Sequence, residues 1–469
     1  MDGGTAAGWD GIPMSLVKAA GEETRQTIRE LLKKIMVNSE IPESWKESRV
    51  IPLYKGSGDK RDLKNYRPIA EQGRAVTTRV PVLIYADDIA LLAHSPDELQ
   101  ALLDICGDTM ATLHLRFNPQ KCGVMVSGPK SYSGEAWSLR GSTLQCTDRV
   151  KYLGVHLNTG PRYLEQHEHA LRMKATRYRG ILGRQTLWAF NRYEVMRGLW
   201  RMVAVPGLTY GNAVLCISSG TREFLERRQR EAGRVALGVH RQTPIEAIQG
   251  DVGWSSFVAR EAVAKATYEK RFTRLPSANL ARQVWVHTIF ASCSTKWARH
   301  TRSLRDRYHL PTVCLESTQG DVKVAVPAVS TRQLVRQQER EEWVRTAEKK
   351  SSMTVYMMGK GDIAKEAFFD NSRGSGLLAE ARSGVLRTRH WRAHYVDGQQ
   401  TQCILCNAAE ETIEHIVLQC PKIHPPSETT SLQTALGFVE GEDQHKGART
   451  HVELTKQRLE HWWRYGAPR

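Results

Sequence analysis

At 469 residues the chain exceeds the usual size of one domain, and its 41% hydrophobic content supports real cores in two or three folded units. Lys and Arg number 67 against 50 Asp and Glu, a formal net charge of +17 with a pI near 9.5, and this excess favours a polyanionic partner, nucleic acid first. No stretch approaches the roughly 20 apolar residues of a membrane helix. Residues 1–13 lack the regions of a signal peptide, and nine scattered cysteines do not make a disulfide framework. The expectation is a soluble intracellular protein, nuclear or cytoplasmic, in a reducing compartment.

Ile28, Leu31, Leu32, Ile35 and Met36 recur at helical spacing, so residues 15 to about 37 are predicted as an amphipathic helix that Pro42 ends. Residues 49–54 read as a strand whose Pro52 suits an edge, and residues 55–61 as a basic turn. Two apolar runs, residues 80–84 and 89–93, flank Tyr85-Ala86-Asp87-Asp88 and predict a buried hairpin. Ser95-Pro96-Asp97-Glu98 predicts a capping-box helix start, with Leu99, Leu102, Leu103 and Cys106 as its buried stripe. A turn over 117–121 leads into a strand at 122–126, a further hairpin is expected through 137–139 and 143–145, and residues 150–155 read as another strand.

From about 160 to 310 the pattern changes to long Arg-rich helices interspersed with Trp188, Trp200 and Tyr210. Residues 311–330 form a connector, and 331–350 a charged helix whose simplest reading is a solvated face. A small module over 377–425 and a last helix over 454–463 complete the order.

Two constellations bear on chemistry. Asp87 and Asp88 set adjacent carboxylates in an apolar segment, where ionised groups need pairing, hydrogen bonds or a metal. Asp is also common in turns, so a bare Asp-Asp pair reads first as a turn. The second is Cys403, Cys406, His415 and Cys420, spaced C-x2-C-x8-H-x4-C, the donor set of a tetrahedral structural Zn²⁺ site. Arg387, Arg389, His390 and Arg392 add charge beside it. His167 and His169 fall on different helix faces and predict no metal site. The arginines between Arg222 and Arg234 either track a phosphate row or, with Glu223, Glu226 and Glu231 interleaved, form a solvated face.

The neighbours of the acidic pair decide between its readings. Ala7-Gly8-Trp9-Asp10-Gly11-Ile12-Pro13, residues 41–45, residues 50–55 and Asn65-Tyr66-Arg67-Pro68-Ile69 precede it, while residues 115–121 and Lys151-Tyr152-Leu153-Gly154-Val155 come after. In order and content these resemble the fingers, palm and palm–thumb junction of a non-LTR (LINE-like) retrotransposon reverse transcriptase, and the likeness extends more loosely through Tyr210-Gly211 and Leu237-Gly238. The resemblance implies two-metal nucleotidyl transfer with Mg²⁺, Asp87 as metal ligand and Asp88 as second ligand or electrostatic support. It places Tyr85 near the primer terminus, Arg67 and Lys55 at the incoming triphosphate, and Lys121 where it protonates the leaving pyrophosphate. RNA and DNA are the implied partners, and the Cys/His module resembles the C-terminal zinc module of the same family.

The chain departs from that pattern at one place. Only the 15 residues 70–84 separate Ile69 from Tyr85, where the family has a long palm segment with its first catalytic aspartate, and Glu71 is the only acid between Ile69 and Asp87. The expectations are an internal deletion, a start inside a longer protein, and a polymerase defective for lack of a bridging carboxylate. The alternative function is an inactive nucleic-acid-binding remnant that uses basic helices and a zinc knuckle. The expected fold is α+β: partial fingers/palm over 1–158, a helical thumb-like domain over 159–310, a connector with a charged helix over 311–376, a CCHC zinc module over 377–425 and a helical tail over 426–469.

Overall fold

The computed structural model describes residues 81–127, 136–276, 279–290, 295–311, 314–318, 321–325, 330–438 and 445–467, with isolated positions at 21, 26, 27 and 30. The predicted strand over 49–54, the basic turn over 55–61, Lys55, Arg67 and, apart from those isolated positions, the helix over 15–37 lie outside the described residues. Two compact units divide the chain: residues 1–70, 79–118 and 138–142 form the first, and residues 71–78, 119–137 and 143–469 the second.

In the first unit, β1 (Val82–Tyr85) and β2 (Asp88–Leu91) pair antiparallel, with Val82 opposite Leu91 and Tyr85 opposite Asp88. Ala86 and Asp87 form the two-residue turn, and Ala86 takes φ 52°, a left-handed conformation that tight hairpins demand and that glycine adopts most easily. The prediction of a buried hairpin is corrected: Leu83, Ile84 and Tyr85 are 41%, 54% and 65% exposed. The physical reason lies in the pairing. Among the described residues β1 and β2 make a two-stranded sheet with no third strand, and such a ribbon has too few neighbours to cover its faces.

The helix α1 (Pro96–Thr112) starts as its sequence predicts. Ser95 Oγ accepts from Glu98 N at 3.3 Å as the capping box requires, while Glu98 Oε2 accepts from His94 N at 2.9 Å, one residue ahead of the cap. Leu102 and Leu103 are buried, and the Gln100 amide pairs both ways with the backbone of Ser138 at 2.9 and 3.0 Å.

Short strands come next along the chain. These are β3 (Gly123–Val124), β4 (Trp137–Leu139) and β5 (Ser142–Cys146), with β3 parallel to β5 through Gly123 opposite Gln145. The strand expected over 122–126 is thus two residues long. β6 (Arg149–Tyr152) and β7 (Val155–Asn158) form an antiparallel hairpin around Leu153 and Gly154, both at positive φ. Tyr210 Oη donates to Leu153 O at 2.8 Å, and its ring comes to 3.3 Å from where a Cβ on Gly154 would stand. Two motifs 57 residues apart in sequence therefore meet.

Helices dominate the remainder of the chain: α2 (Glu165–Thr186), α3 (Arg192–Leu199), α4 (Ser219–Leu237), α5 (Ile245–Val252), α6 (Phe257–Thr273), α7 (Lys296–Arg307), α8 (Thr331–Glu348), α9 (Arg373–Arg382) and α10 (His445–Tyr465). One hydrophobic core runs through Leu171, Trp200, Leu225 and Trp254 and on through Trp343, Leu378, Cys403, Cys420 and Trp462. The cysteine module is therefore packed into the helical core.

Within α8, Thr331, Val335, Glu339, Trp343 and Ala347 are buried. A helix whose charge suggested a solvated face thus turns a stripe at every fourth residue inward, because Val335 and Trp343 bring enough apolar surface to hold it there. Buried charge is compensated in this core. Arg382, without solvent exposure, donates to Asp251 at 3.1 Å and Glu366 at 2.8 Å and stacks 4.0 Å from the Phe438 ring. Among the described residues no helix is long and apolar enough to cross a membrane.

Candidate functional site

The β1–β2 turn positions the acidic pair. Asp87 is the second turn residue and Asp88 the first residue of β2; both are exposed, as is Tyr85 across the ribbon. Ion-bridging centres for nucleotidyl transfer draw carboxylates together around two cations. Among the described residues no third His, Cys, Asp or Glu comes within ligand distance of Asp87 and Asp88. The described residues alone therefore do not make up a two-Mg²⁺ centre. Lys121 ends a short 3-10 turn (Pro119–Lys121) of the second unit and is exposed.

The four predicted zinc ligands do come together. Sγ of Cys403, Cys406 and Cys420 and a ring nitrogen of His415 all lie within 4.8 Å of one another. Cys403 and Cys420 sulfurs are 3.9 Å apart, and Cys406 Sγ is 3.3 Å from His415 Nε2. Tetrahedral bonds of about 2.3 Å to sulfur and about 2.0 Å to nitrogen require edges of roughly 3.5–3.8 Å, so the donor set fits Zn²⁺ with little adjustment.

Local backbone explains the assembly. Cys403 N donates to Ala409 O at 2.9 Å and Asn407 N to Cys403 O at 2.8 Å, folding the first Cys pair into a knuckle with Asn407 at φ 52°. Ala408 N points at Cys406 Sγ at 3.5 Å. His415 opens a wide helical turn (His415–Gln419) closed by Cys420 N donating to His415 O at 2.8 Å, an i to i+5 bond that brings the last two ligands to one side. Ile416 and Val417 anchor that turn in the core.

Electrostatics at the cluster differ by thiol. Burial raises the Cys403 thiol, and burial together with its cysteine neighbours pushes Cys420 up to about 12. At Cys406 burial also acts upward, but the Ala408 amide and the neighbouring thiols outweigh it and the net direction is down. His415 is lowered by burial and then by the Arg458 charge, which keeps its imidazole neutral and available as a ligand.

Sequence reasoning missed Arg458. It is 1% exposed, and its guanidinium donates to the carbonyls of Ile416, Val417, Cys420, Ile423 and Pro425 at 2.6–3.2 Å. One side chain from α10 thus ties down the loop that carries His415 and Cys420. A signal was available: Val452, Thr455, Leu459 and Trp462 are spaced as a buried helix face, and Arg458 falls within it.

The arginines of α4 are largely neutralised. Arg222 pairs with Glu261 at 2.9 Å, Arg228 with Glu231 at 2.8 Å and Arg230 with Glu223 at 3.0 Å. Beside the cysteine module, Arg389 faces the buried Glu411 at 3.9 Å and His390 faces Glu410 at 3.2 Å.

Residues 60–157, which include the acidic hairpin and the strands up to β7, match the family model described as reverse transcriptase (RNA-dependent DNA polymerase). The chain thus carries a reverse-transcriptase segment within a mixed, mostly helical fold. It is also similar to the RNA-directed DNA polymerase from mobile element jockey of Drosophila funebris, at 28% identity over 152 residues. That alignment covers 30% of this chain and 16% of the relative. Both findings agree with the likeness to a non-LTR, LINE-like reverse transcriptase that the motifs carry.

Proposed function

We propose that this chain descends from a retrotransposon RNA-directed DNA polymerase and now acts by binding nucleic acid, without efficient polymerisation. The observation that supports this most is the match of residues 60–157 around a Tyr-Ala-Asp-Asp hairpin whose carboxylates face solvent with no third donor among the described residues. In this reading Asp87 and Asp88 keep the positions of the palm metal ligands, Tyr85 that of a residue beside the primer terminus and Lys121 that of the pyrophosphate-side lysine. Arg67 and Lys55 keep the basic positions for an incoming triphosphate. Cys403, Cys406, His415 and Cys420 hold a structural Zn²⁺, which fixes the module against α10. The partners are RNA and DNA, bound largely through phosphates, with affinity falling as salt rises.

Primer extension on an RNA template with Mg²⁺ tests the loss of catalysis. The expected incorporation is no greater than that of Asp87→Asn. Mg²⁺-dependent incorporation that Asp87→Asn abolishes would restore the polymerase.

A further inference from the structure

Three of the five α4 arginines, Arg222, Arg228 and Arg230, are paired with carboxylates, and a second arginine group is not. Among the described residues no ion pair involves Arg192, Arg241, Arg373 or Arg387. Arg241, Arg373 and Arg387 are exposed and Arg192 is half-buried.

Contacts join Arg192, Arg373 and Arg387 into one surface, and Arg241 lies in sequence between its His240 and Gln242. The Arg192 guanidinium lies over the left-handed end of α4 and fills the space a Cβ on Gly238 would need. The Gly238 carbonyl in turn abuts Gly376 of α9, one turn beyond Arg373. Next to Gly238, His240 Nε2 reaches Val385 O at 3.0 Å, and Arg387 donates to Gln242 at 3.0 Å. Their fields overlap. The His240 imidazole is lowered by burial first and then by Arg387 and Arg373 despite its bond to Val385, and the Arg192 guanidinium is lowered by burial, against the pull of Asp370, and by Arg373. Nearby carboxylates offset the group only in part: Asp370 attracts Arg192 but is held by Lys456 at 2.6 Å, and Glu380, which Arg373 and Arg387 favour as a carboxylate, is pushed by burial up to about 7.

Aromatic rings stand in solvent beside these cations. The loop between α2 and α3 displays Trp188 and Phe190 at 93% and 90% exposure. It is not a loose loop: Asn371 Nδ2 donates to Ala189 O at 2.6 Å and Phe190 O at 3.1 Å, and Asn191 caps α3. Two residues beyond Asn371, Arg373 stacks 4.1 Å from the ring of the exposed Trp463. Rigid backbone under exposed aromatics keeps low the entropy lost when a planar group stacks on them.

We propose that this face, formed by the α2–α3 loop, the end of α4 and the start of α9, binds a single strand of nucleic acid, with phosphates at Arg192, Arg241, Arg373 and Arg387 and bases stacked on Trp188 and Phe190. The inference rests on the nucleic-acid reading under Proposed function and gives it a location and a strand form. Unpaired cations supply an anion-binding track, and π-faces accept any unstacked base, which a closed duplex does not offer.

Fluorescence anisotropy on the full zinc-loaded chain tests it, with labelled oligouridylate and oligothymidylate of about 20 nucleotides and a duplex RNA of matching length. Arg241→Ala/Arg373→Ala/Arg387→Ala is expected to weaken single-strand binding about tenfold or more and to flatten the salt slope by about 0.7 per lost phosphate contact. Trp188→Ala/Phe190→Ala, at positions too exposed to affect folding, is expected to lose on the order of tenfold for single strands and little for duplex. Arg373→Lys is expected to retain most of the charge-dependent affinity. Comparable RNA and DNA losses assign the site to strand chemistry common to both, and a loss on one sugar alone assigns it to that polymer. Wild-type binding that both multiple variants leave unchanged overturns this site while sparing the broader reading. A wild-type chain that binds none of the three probes overturns both.

Discussion

The acidic hairpin and the cysteine module hold donor groups of equal promise in the sequence, yet they differ in what surrounds them. Asp87 and Asp88 sit on a two-stranded ribbon with exposed flanks. Cys403 and Cys420 are buried in the main core, and Arg458 bonds to the loop that carries two of the four ligands. A metal centre depends on the groups that hold its ligands as much as on the ligands themselves. By that criterion the second unit contains an assembled site, and the hairpin a ligand pair without a further donor among the described residues.

The sharpest way to break this contrast is to remove a cysteine. Cys420→Ala is expected to abolish zinc binding and lower thermal stability of the second unit by well over the change from an ordinary core substitution, since structural zinc in small modules is worth roughly 10–16 kcal/mol of apparent binding energy. Metal content and calorimetry measure it. Arg458→Met removes a buried charge that serves five carbonyls and leaves those acceptors unpaired. A loss of about 3–5 kcal/mol is expected in denaturant titration, with weakened zinc retention against chelator.

Glu380 sharpens the picture of the braced unit through pH. Burial first, opposed by Arg373, the His240 amide and Arg387, leaves its carboxyl near 7, above its ordinary 4.5. The folded form thus binds the proton more tightly than the unfolded chain, so stability from this group is present below about 4.5 and is lost as pH rises through about 7. Glu380→Gln should therefore gain roughly 1–3 kcal/mol over wild type near pH 8 and little near pH 4. Equal gains at both pH values would contradict the assignment.

At the hairpin the expected effects are small. Ala86→Gly relieves the left-handed turn by about 1 kcal/mol at most, read as protection of the ribbon amides in hydrogen exchange. Asp87→Asn should change stability by less than about 0.5 kcal/mol, as for an exposed residue without a structural bond. A large stability loss there would reveal support for the acidic pair that the two-stranded ribbon does not supply.

Much of this was legible in the sequence. The capping box at Ser95–Glu98, the Tyr-Ala-Asp-Asp hairpin and the C-x2-C-x8-H-x4-C ligands are local patterns, fixed by turn chemistry and short spacing, and each occurs in the structure where its residues predict. The exposure of the hairpin was not legible, because burial depends on strands that must pair with it from elsewhere. Nor were Arg458 and Arg382, since a charged residue within a helix reads as surface until the carbonyls and carboxylates it serves are brought to it by distant segments. In α8 the charge count concealed the stripe of Val335, Trp343 and Ala347.

The central claim, that the metal centre this chain assembles is the Cys/His cluster and not the carboxylate pair, is tested most directly by metal analysis of the full chain purified without chelator. The account predicts about one zinc per chain, lost in Cys403→Ala and untouched by Asp87→Asn. Zinc near zero in the wild-type chain, or zinc retained by Cys403→Ala, would contradict it.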